Sequence, residues 1–123
     1  MQMVSRRRLA EPPKMPGGIE PENSVCLVGV LLDQPALADQ RGRKVGEVRL
    51  QVERQWFRVR VAGNPADAIH EHGQRGAAVK VEGRLKHIVH KRRDGRRREY
   101  TVIEAEDVQV LAPPDTCRYV PPE

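Results

Sequence analysis

The fold of this chain is set by residues 79–111, VKVEGRLKHIVHKRRDGRRREYTVIEAEDVQVL. The first third of this stretch alternates apolar and charged residues, which is the period-2 pattern of a half-buried strand. After the basic run, Tyr100-Thr101-Val102-Ile103 is aromatic and β-branched, and such residues favour strands. Between them, Asp94-Gly95 tolerates the positive φ angles of a type I′ turn. This stretch therefore predicts one long β-hairpin with basic residues around its tip. A phase slip near Glu106-Asp107 predicts a bulge or a turn there.

Positive charge is concentrated on this hairpin. Residues 84–98 contain eight Lys and Arg against one Asp, a net charge of +7, whereas the whole chain carries +5. The rest of the chain is therefore slightly acidic, at −2. A nearly neutral body with one cationic arm indicates a polyanionic partner, because binding to a phosphate backbone releases counterions.

Three strands and a helix precede the hairpin. Residues 23–32 are apolar on both faces, which indicates a strand covered on both sides or lying at a subunit interface. Gly29 in its middle predicts a bulge or a bend. After a loop that includes residues 39–44, residues 45–61 contain two alternating strands. A short helix follows, with Asn64 as its predicted N-cap. Five strands with one short helix between the third and fourth predict an all-β, five-stranded OB-fold barrel.

The third strand carries a candidate base contact. Its apolar residues alternate with Trp56, Arg58 and Arg60, so these three share the outer face if the apolar residues face the core. An exposed tryptophan beside two arginines is typical of proteins that stack single-stranded bases and hold the phosphates. The opposing interpretation is that Trp56 packs at the end of the barrel.

Composition excludes several classes of function. At 123 residues the chain holds one domain, and Cys26 and Cys117 form no CxxC pair. His70-Glu71-His72 lacks the spacing of a metal site on a helix, and no triad or P-loop is present, so we expect no catalysis, metal or cofactor. No signal peptide or transmembrane stretch is visible, which favours the cytoplasm.

The sequence divides into three parts. Residues 1–22 form a basic tail rich in Pro and Gly, for which we expect flexibility, with Arg6-Arg7-Arg8 near its start. Residues 23–111 form the predicted OB-fold domain, and residues 112–123 form a Pro-rich C-terminal tail.

Separate motifs in this domain resemble those of the bacterial single-stranded DNA-binding proteins. The run Asn23, Val25, Leu27, Gly29, Leu31, Pro35 is similar to their first-strand signature, N-x-V-x-L-x-G-x-L-x-x-x-P. Residues 79–85, with V-x-V-E-G-x-L, and residues 105–111 resemble the fourth and closing strands. The resemblance implies single-stranded DNA binding without catalysis, in replication, repair or recombination at the nucleoid. It also implies a homodimer or homotetramer in which first strands from two subunits pair.

The resemblance also assigns roles to residues. Trp56 matches a base-stacking tryptophan, and His90 lies near another family aromatic. With the basic residues, the expected nucleic-acid contacts are Trp56, Arg58, Arg60, Arg84, Lys86, His90, Lys91, Arg92, Arg93, Arg96, Arg97 and Arg98. The expected subunit interface comprises Val25, Cys26, Leu27, Val28 and Val30.

The chain departs from the family pattern in three ways. The connection between the second and third strands is short, aromatic content is only 3%, and residues 119–123 do not match the acidic, Phe-ended tail that recruits partners. A shortened version of this kind also resembles the related primosomal replication protein. Two further alternatives are an RNA-binding OB-fold module and an adaptor whose basic arm binds an acidic protein surface.

Overall fold

A computed structural model describes residues 14–114 of the chain. Its strands are β1 (Val25–Leu31), β2 (Ala38–Gln40), β3 (Arg43–Val52), β4 (Gln55–Ala62), β5 (Ala78–Lys91) and β6 (Arg97–Ala112). The helix α1 (Asn64–His72) lies between β4 and β5, and a single 3-10 turn occupies Pro16–Gly18. The expectations for residues 1–13 and 115–123, including Arg6-Arg7-Arg8, Cys117 and the C-terminal residues, lie outside this part of the chain.

Five of the strands form a closed ring. The sheet order is β1-β5-β6-β4-β3-β2, and β1 also pairs with β3, which joins the two ends. All pairs are antiparallel except β4 with β6, which are parallel at Val59 with Ile103 and at Arg60 with Glu104. The predicted mostly-β architecture is therefore confirmed, and β2 is a sixth strand attached to β3 outside the ring.

The core fills this ring with the apolar residues that alternate along the strands. Its buried members are Leu31, Val48, Leu50, Val59, Val61, Ala66, Ile69, Ala77, Val79, Val81, Ile103 and Val108. Helix α1 contributes Ala66 and Ile69, which are fully buried. The predicted N-cap is one residue too late, because Gly63 precedes the helix and Asn64 is already its first residue.

Two residues of the first-strand motif have clear structural roles. Asn23 extends the pairing of β1 with β5 by one side chain, since its Oδ1 accepts from the Leu85 backbone N–H at 2.9 Å and its Nδ2 donates to the Leu85 carbonyl at 2.9 Å. Gly29 lies beside β3, and a Cβ at this position would collide with the backbone carbonyl of Gln51. The motif therefore fixes how β1 passes from β5 to β3.

The predicted loop over residues 39–44 is wrong. This segment is instead a small hairpin in which Gln40 of β2 pairs with Arg43 of β3. Its two-residue turn, Arg41-Gly42, has positive φ angles of 55° and 79°. Such angles suit a type I′ turn. Because this turn usually has Asn or Asp before the Gly, the Arg41-Gly42 pair did not indicate it in the sequence.

The long basic hairpin is present, with β5 and β6 paired from Ala78 to Lys91. Its turn is not the predicted type I′ turn on Asp94-Gly95. Gly95 has a φ of 87° but Asp94 does not have a positive φ, and the Gly95 N–H donates to the Arg92 carbonyl at 3.1 Å. This is a three-residue loop closed by a left-handed glycine. Of the two alternatives for the phase slip, the structure has the bulge, because the register shift leaves Glu106 unpaired.

Candidate nucleic-acid interface

The exterior of the ring carries one face on which side chains from four strands meet. Because side chains alternate along a strand, the register identifies its members. This outer face comprises Glu47, Arg49 and Gln51 of β3, Trp56, Arg58 and Arg60 of β4, Arg84, Lys86, Ile88 and His90 of β5, and Arg98, Tyr100, Val102 and Glu104 of β6. Seven of the twelve expected nucleic-acid contacts therefore lie on a single surface.

Trp56 lies on this outer face with 51% of its surface exposed, so it is not enclosed in the core. The guanidinium carbon of Arg49 lies 5.6 Å from the ring centroid, within the range of a cation–π contact. Asp33 holds Arg49 in turn, because its carboxylate accepts from Nη2 at 2.8 Å and from the Arg49 backbone N–H at 3.0 Å. These hydrogen bonds hold the pKa of Asp33 below its ordinary value. Trp56 thus combines an open surface with a fixed cationic neighbour.

Tyr100 is a second aromatic residue on the outer face, and it is absent from the contacts expected from the sequence. Its ring lies 6.3 Å from the imidazole of His90, stacked at 27°. The guanidinium carbons of Arg58 and Arg98 lie 4.9 and 5.6 Å from its centroid. Its position two residues from Arg98 in a strand was the available signal, since alternation places both on one face. Tyr100 therefore joins three expected contacts into one cluster.

Two expected phosphate contacts are partly neutralised by a carboxylate on the same face. Glu104 accepts from Arg84 Nε at 3.3 Å and from Lys86 Nζ at 3.4 Å. Burial raises the pKa of Glu104, but these two hydrogen bonds outweigh it and the pKa lies below its ordinary value. Glu104 is thus an anion at neutral pH. Arg84 and Lys86 therefore present less net charge to a ligand than their number indicates.

The tip of the hairpin carries the remaining basic residues in two groups. In the first group, Arg96 and Arg97 have acidic neighbours, at 3.7 Å from Arg96 Nε to Asp94 Oδ2 and 3.2 Å from Arg97 Nη2 to Glu99 Oε2. The second group is exposed without any ion pair within residues 14–114: Lys91, Arg92 and Arg93. The unpaired charge at the tip therefore lies on the β5 side of the turn.

Glu99 anchors the opposite face of the arm. It accepts from His87 Nε2 at 2.9 Å and forms the ion pair with Arg97. The hydrogen bond from His87, followed by the charge of Arg97, lowers the pKa of Glu99. Arg97 is thus directed away from the outer face, because the register pairs it with Lys91 rather than with the residues around Tyr100.

The expected interface strand has one exposed row. Residues 25–29 of β1 pair with β5 alone, and β3 joins only at Val30 and Leu31. Val28 is 52% exposed and Cys26 is exposed, whereas Val25 and Leu27 pack against the core. One edge and one apolar row of β1 are therefore open in the single chain.

Metal-ligating side chains are scattered over the same part of the chain. Between residues 14 and 114, no three His, Cys, Asp or Glu side chains are grouped closely enough to hold a metal ion. His72 Nε2 lies 3.7 Å from Glu71 Oε1, and both side chains are exposed. The single α-helix of this region is too short to cross a membrane.

A closed ring of five strands with aromatic and basic residues on one outer face defines a class of protein, the oligonucleotide-binding modules. Residues 22–111 match the model of the single-strand binding protein family. The chain belongs to this family, whose fold is the OB-fold and whose members bind single-stranded DNA and are not enzymes. No curated protein sequence matches the chain.

Proposed function

We propose that this protein binds single-stranded DNA exposed during replication, repair or recombination, at the nucleoid in the cytoplasm. Bases stack on Trp56, and the phosphates contact the arginines and lysines of the outer face and the hairpin. The observation that carries the proposal is the half-exposed Trp56 ring with the Arg49 guanidinium 5.6 Å from its centroid. A base stacked on such a ring contributes about 1–3 kcal/mol without selecting a sequence.

The charges support a division of labour among the basic residues. Arg58 lies beside Trp56 and holds a phosphate close to the stacked base, whereas Arg60 lies further along β4 and contacts the strand at a neighbouring phosphate. Arg84 and Lys86 contribute less to phosphate binding, because both pair with the carboxylate of Glu104. Lys91, Arg92 and Arg93 contribute most of the salt-dependent attraction, because no carboxylate of residues 14–114 pairs with them. His90, Arg96, Arg97 and Arg98 complete the proposed contact surface.

We further propose that the protein acts as a homodimer or homotetramer through β1. The open edge of residues 25–29 offers backbone N–H and C=O groups to a second strand, and exposed Val28 and Cys26 offer apolar surface. Edges of this kind favour strand addition. A second copy of the chain pairs its own β1 here, which gives closed symmetry.

A fluorescence titration tests single-strand binding directly. Trp56 is the only tryptophan of the chain, so its emission reports this one site. We expect oligo(dT) to quench it, with an affinity that falls steeply as salt increases. A duplex of equal length should leave the emission unchanged, and oligo(U) should bind more weakly than oligo(dT). Tight binding of the duplex, or stronger binding of oligo(U), would overturn the proposal.

A further inference from the structure

The outer face contains a cleft where β4 and β6 separate. These two strands are paired only at Val59 with Ile103 and Arg60 with Glu104. Beyond this point, towards the arm, a cavity of about 420 Å³ opens between Trp56 on one side and Tyr100 on the other. Ligand pockets usually occupy about 300–1,000 Å³, so the cleft has room for a small planar guest.

The lining of this cleft is largely apolar and aromatic. Val102 and Ile103, at 1% and 3% exposure, are buried beneath it, while Leu85 is 50% exposed at its margin. Leu85 therefore adds apolar surface that a ligand in the cleft would cover. The aromatic rings of Trp56 and Tyr100 favour a ligand with a planar ring, which can stack on them.

The charges around the cleft indicate that the planar ligand also carries negative charge. Arg58 and Arg98 line it, both within 6 Å of the Tyr100 centroid at 4.9 and 5.6 Å, and the lining includes no carboxylate. A larger groove of about 640 Å³ lies at the other end of the outer face. There, arginines alternate with Glu47, Glu104 and Glu106, which repel a phosphate. At the cleft, Glu47 pairs with Arg58 at 3.6 Å from Oε1 to Nε, whereas Arg98 forms no ion pair within residues 14–114. The cleft therefore keeps more positive charge for a phosphate than the groove does.

We propose that the cleft is a subsite for a single nucleotide, in which one base inserts against Trp56 and Tyr100 while Arg58 and Arg98 contact its phosphates. The inference rests on the proposed single-strand binding and adds Tyr100 as a binding residue of that site. On binding, the guanidiniums of Arg58 and Arg98 leave the Tyr100 ring and contact phosphates instead. The base then stacks on the Tyr100 ring where the guanidiniums lay.

Variants of Tyr100 test the subsite. Tyr100→Leu keeps an apolar side chain but removes the ring, and should weaken binding of a fluorescein-labelled oligo(dT) by about five- to a hundredfold. Tyr100→Phe retains the ring and should stay close to the parent. Val89→Ala is the matched control, because Val89 is 48% exposed on the same arm and does not line the cleft. Since Trp56 and Tyr100 contact the same base, the double variant Trp56→Ala/Tyr100→Leu should lose less affinity than the two single losses combined.

A crosslinking experiment on the parent protein is independent of any variant. An oligonucleotide carrying 5-iodo-deoxyuridine is irradiated with the protein, and the tryptic peptides are sequenced. We expect adducts in the peptides covering residues 55–58 and 99–118. Adducts confined to other peptides, or a Tyr100→Leu variant that binds like the parent while Trp56→Ala binds weakly, would overturn the subsite and leave the proposed function standing. Failure of the parent to bind any single strand would overturn both.

Discussion

Asp33 fixes Arg49 at a distance of 2.8 Å, from Oδ1 to Nη2, and so determines where a cation lies beside Trp56. Asp33 follows β1 and Arg49 lies in β3, so the pair also connects two strands of the ring. Holding Arg49 in one conformation reduces the freedom that the Trp56 ring must lose when a base stacks on it. A surface ion pair of this kind contributes only about 0–1 kcal/mol to stability, which leaves positioning as its main effect.

The Asp33–Arg49 pair predicts a defined pH dependence of stability. The pKa of Asp33 is lowered in the folded protein, chiefly by the hydrogen bond from Arg49. A lowered pKa means that the stabilisation is complete above the ordinary aspartate pKa of about 3.9 and is lost as the pH falls through the folded value. The difference in melting temperature between the parent and Asp33→Asn should therefore be constant from pH 7 to about 5 and shrink as the pH falls below the ordinary aspartate pKa.

Thermal unfolding followed by circular dichroism across this pH range measures the difference. Asp39→Asn is the control, since Asp39 is an exposed aspartate of β2 that forms no ion pair within residues 14–114. A parent-to-variant difference that grows on acidification would contradict the assignment.

Replacing Trp56 separates stacking from packing. Trp56→Ala should weaken oligonucleotide binding by about five- to a hundredfold, the equivalent of one stacked base. Because half of the ring is exposed, the free energy of unfolding should fall by much less than the ~3–5 kcal/mol typical of a deleted core aromatic. Anisotropy of a labelled oligo(dT) and chemical denaturation measure the two quantities. Trp56→Phe should recover part of the affinity, and a large loss of stability with unchanged affinity would assign Trp56 to the core.

Local patterns in the sequence predicted most of the ring. Period-2 alternation located β3, β4 and the first part of β5, whereas apolar and β-branched composition located β1 and β6. The alternation also placed Trp56, Arg58 and Arg60 on one face. The small β2 hairpin escaped because Arg41 stands where a type I′ turn usually has Asn or Asp. The turn at Gly95 was misassigned for a related reason, since one glycine permits more than one hairpin loop.

Which residues meet at the site depends on the register between the strands, and local patterns in the sequence do not reveal that register. Arg49 contacts Trp56 because Gln51 pairs with Trp56 and Arg58 with Arg49, and a shift by one residue would separate them. Tyr100 approaches Arg58 because β4 and β6 are parallel neighbours, although 42 residues separate the two along the chain. Pairings between distant strands of this kind cannot be obtained from local periodicity. Asp33 was missed for that reason. Alternation could place Tyr100 on the face of Arg98, but not beside Arg58.

The arginines at the tip of the arm should contribute unequally to the salt dependence of single-strand binding. Arg92 and Arg93 have no acidic partner within residues 14–114, whereas Arg96 and Arg97 neighbour Asp94 and Glu99. Each phosphate neutralised on a single strand adds about −0.7 to the slope of log K against log[salt]. Replacing all four with Ala should weaken binding to every sequence and flatten the slope. The Arg92→Ala/Arg93→Ala variant should account for the larger part of that change.

Titrations at several salt concentrations measure these slopes. A control for the two-residue variant, with the same loss of charge, is Arg41→Ala/Arg75→Ala, since both arginines are exposed and lie outside the long β5–β6 hairpin. A four-residue variant that keeps the parental slope would show that the arm does not contact phosphate.

Self-association through β1 is open to a direct test. Val28 is 52% exposed, and residues 25–29 have a strand partner on one edge only, so a second copy would bury Val28 and pair the free edge. Introducing a charge there leaves an unpaired lysine in the interface, which is costly because the ammonium loses its water. We therefore expect the parent to be a dimer or tetramer by light scattering at micromolar concentration and Val28→Lys to be largely monomeric. Val89→Lys, at a site of 48% exposure on the arm, should keep the parental mass, and a monomeric parent would contradict the proposed assembly.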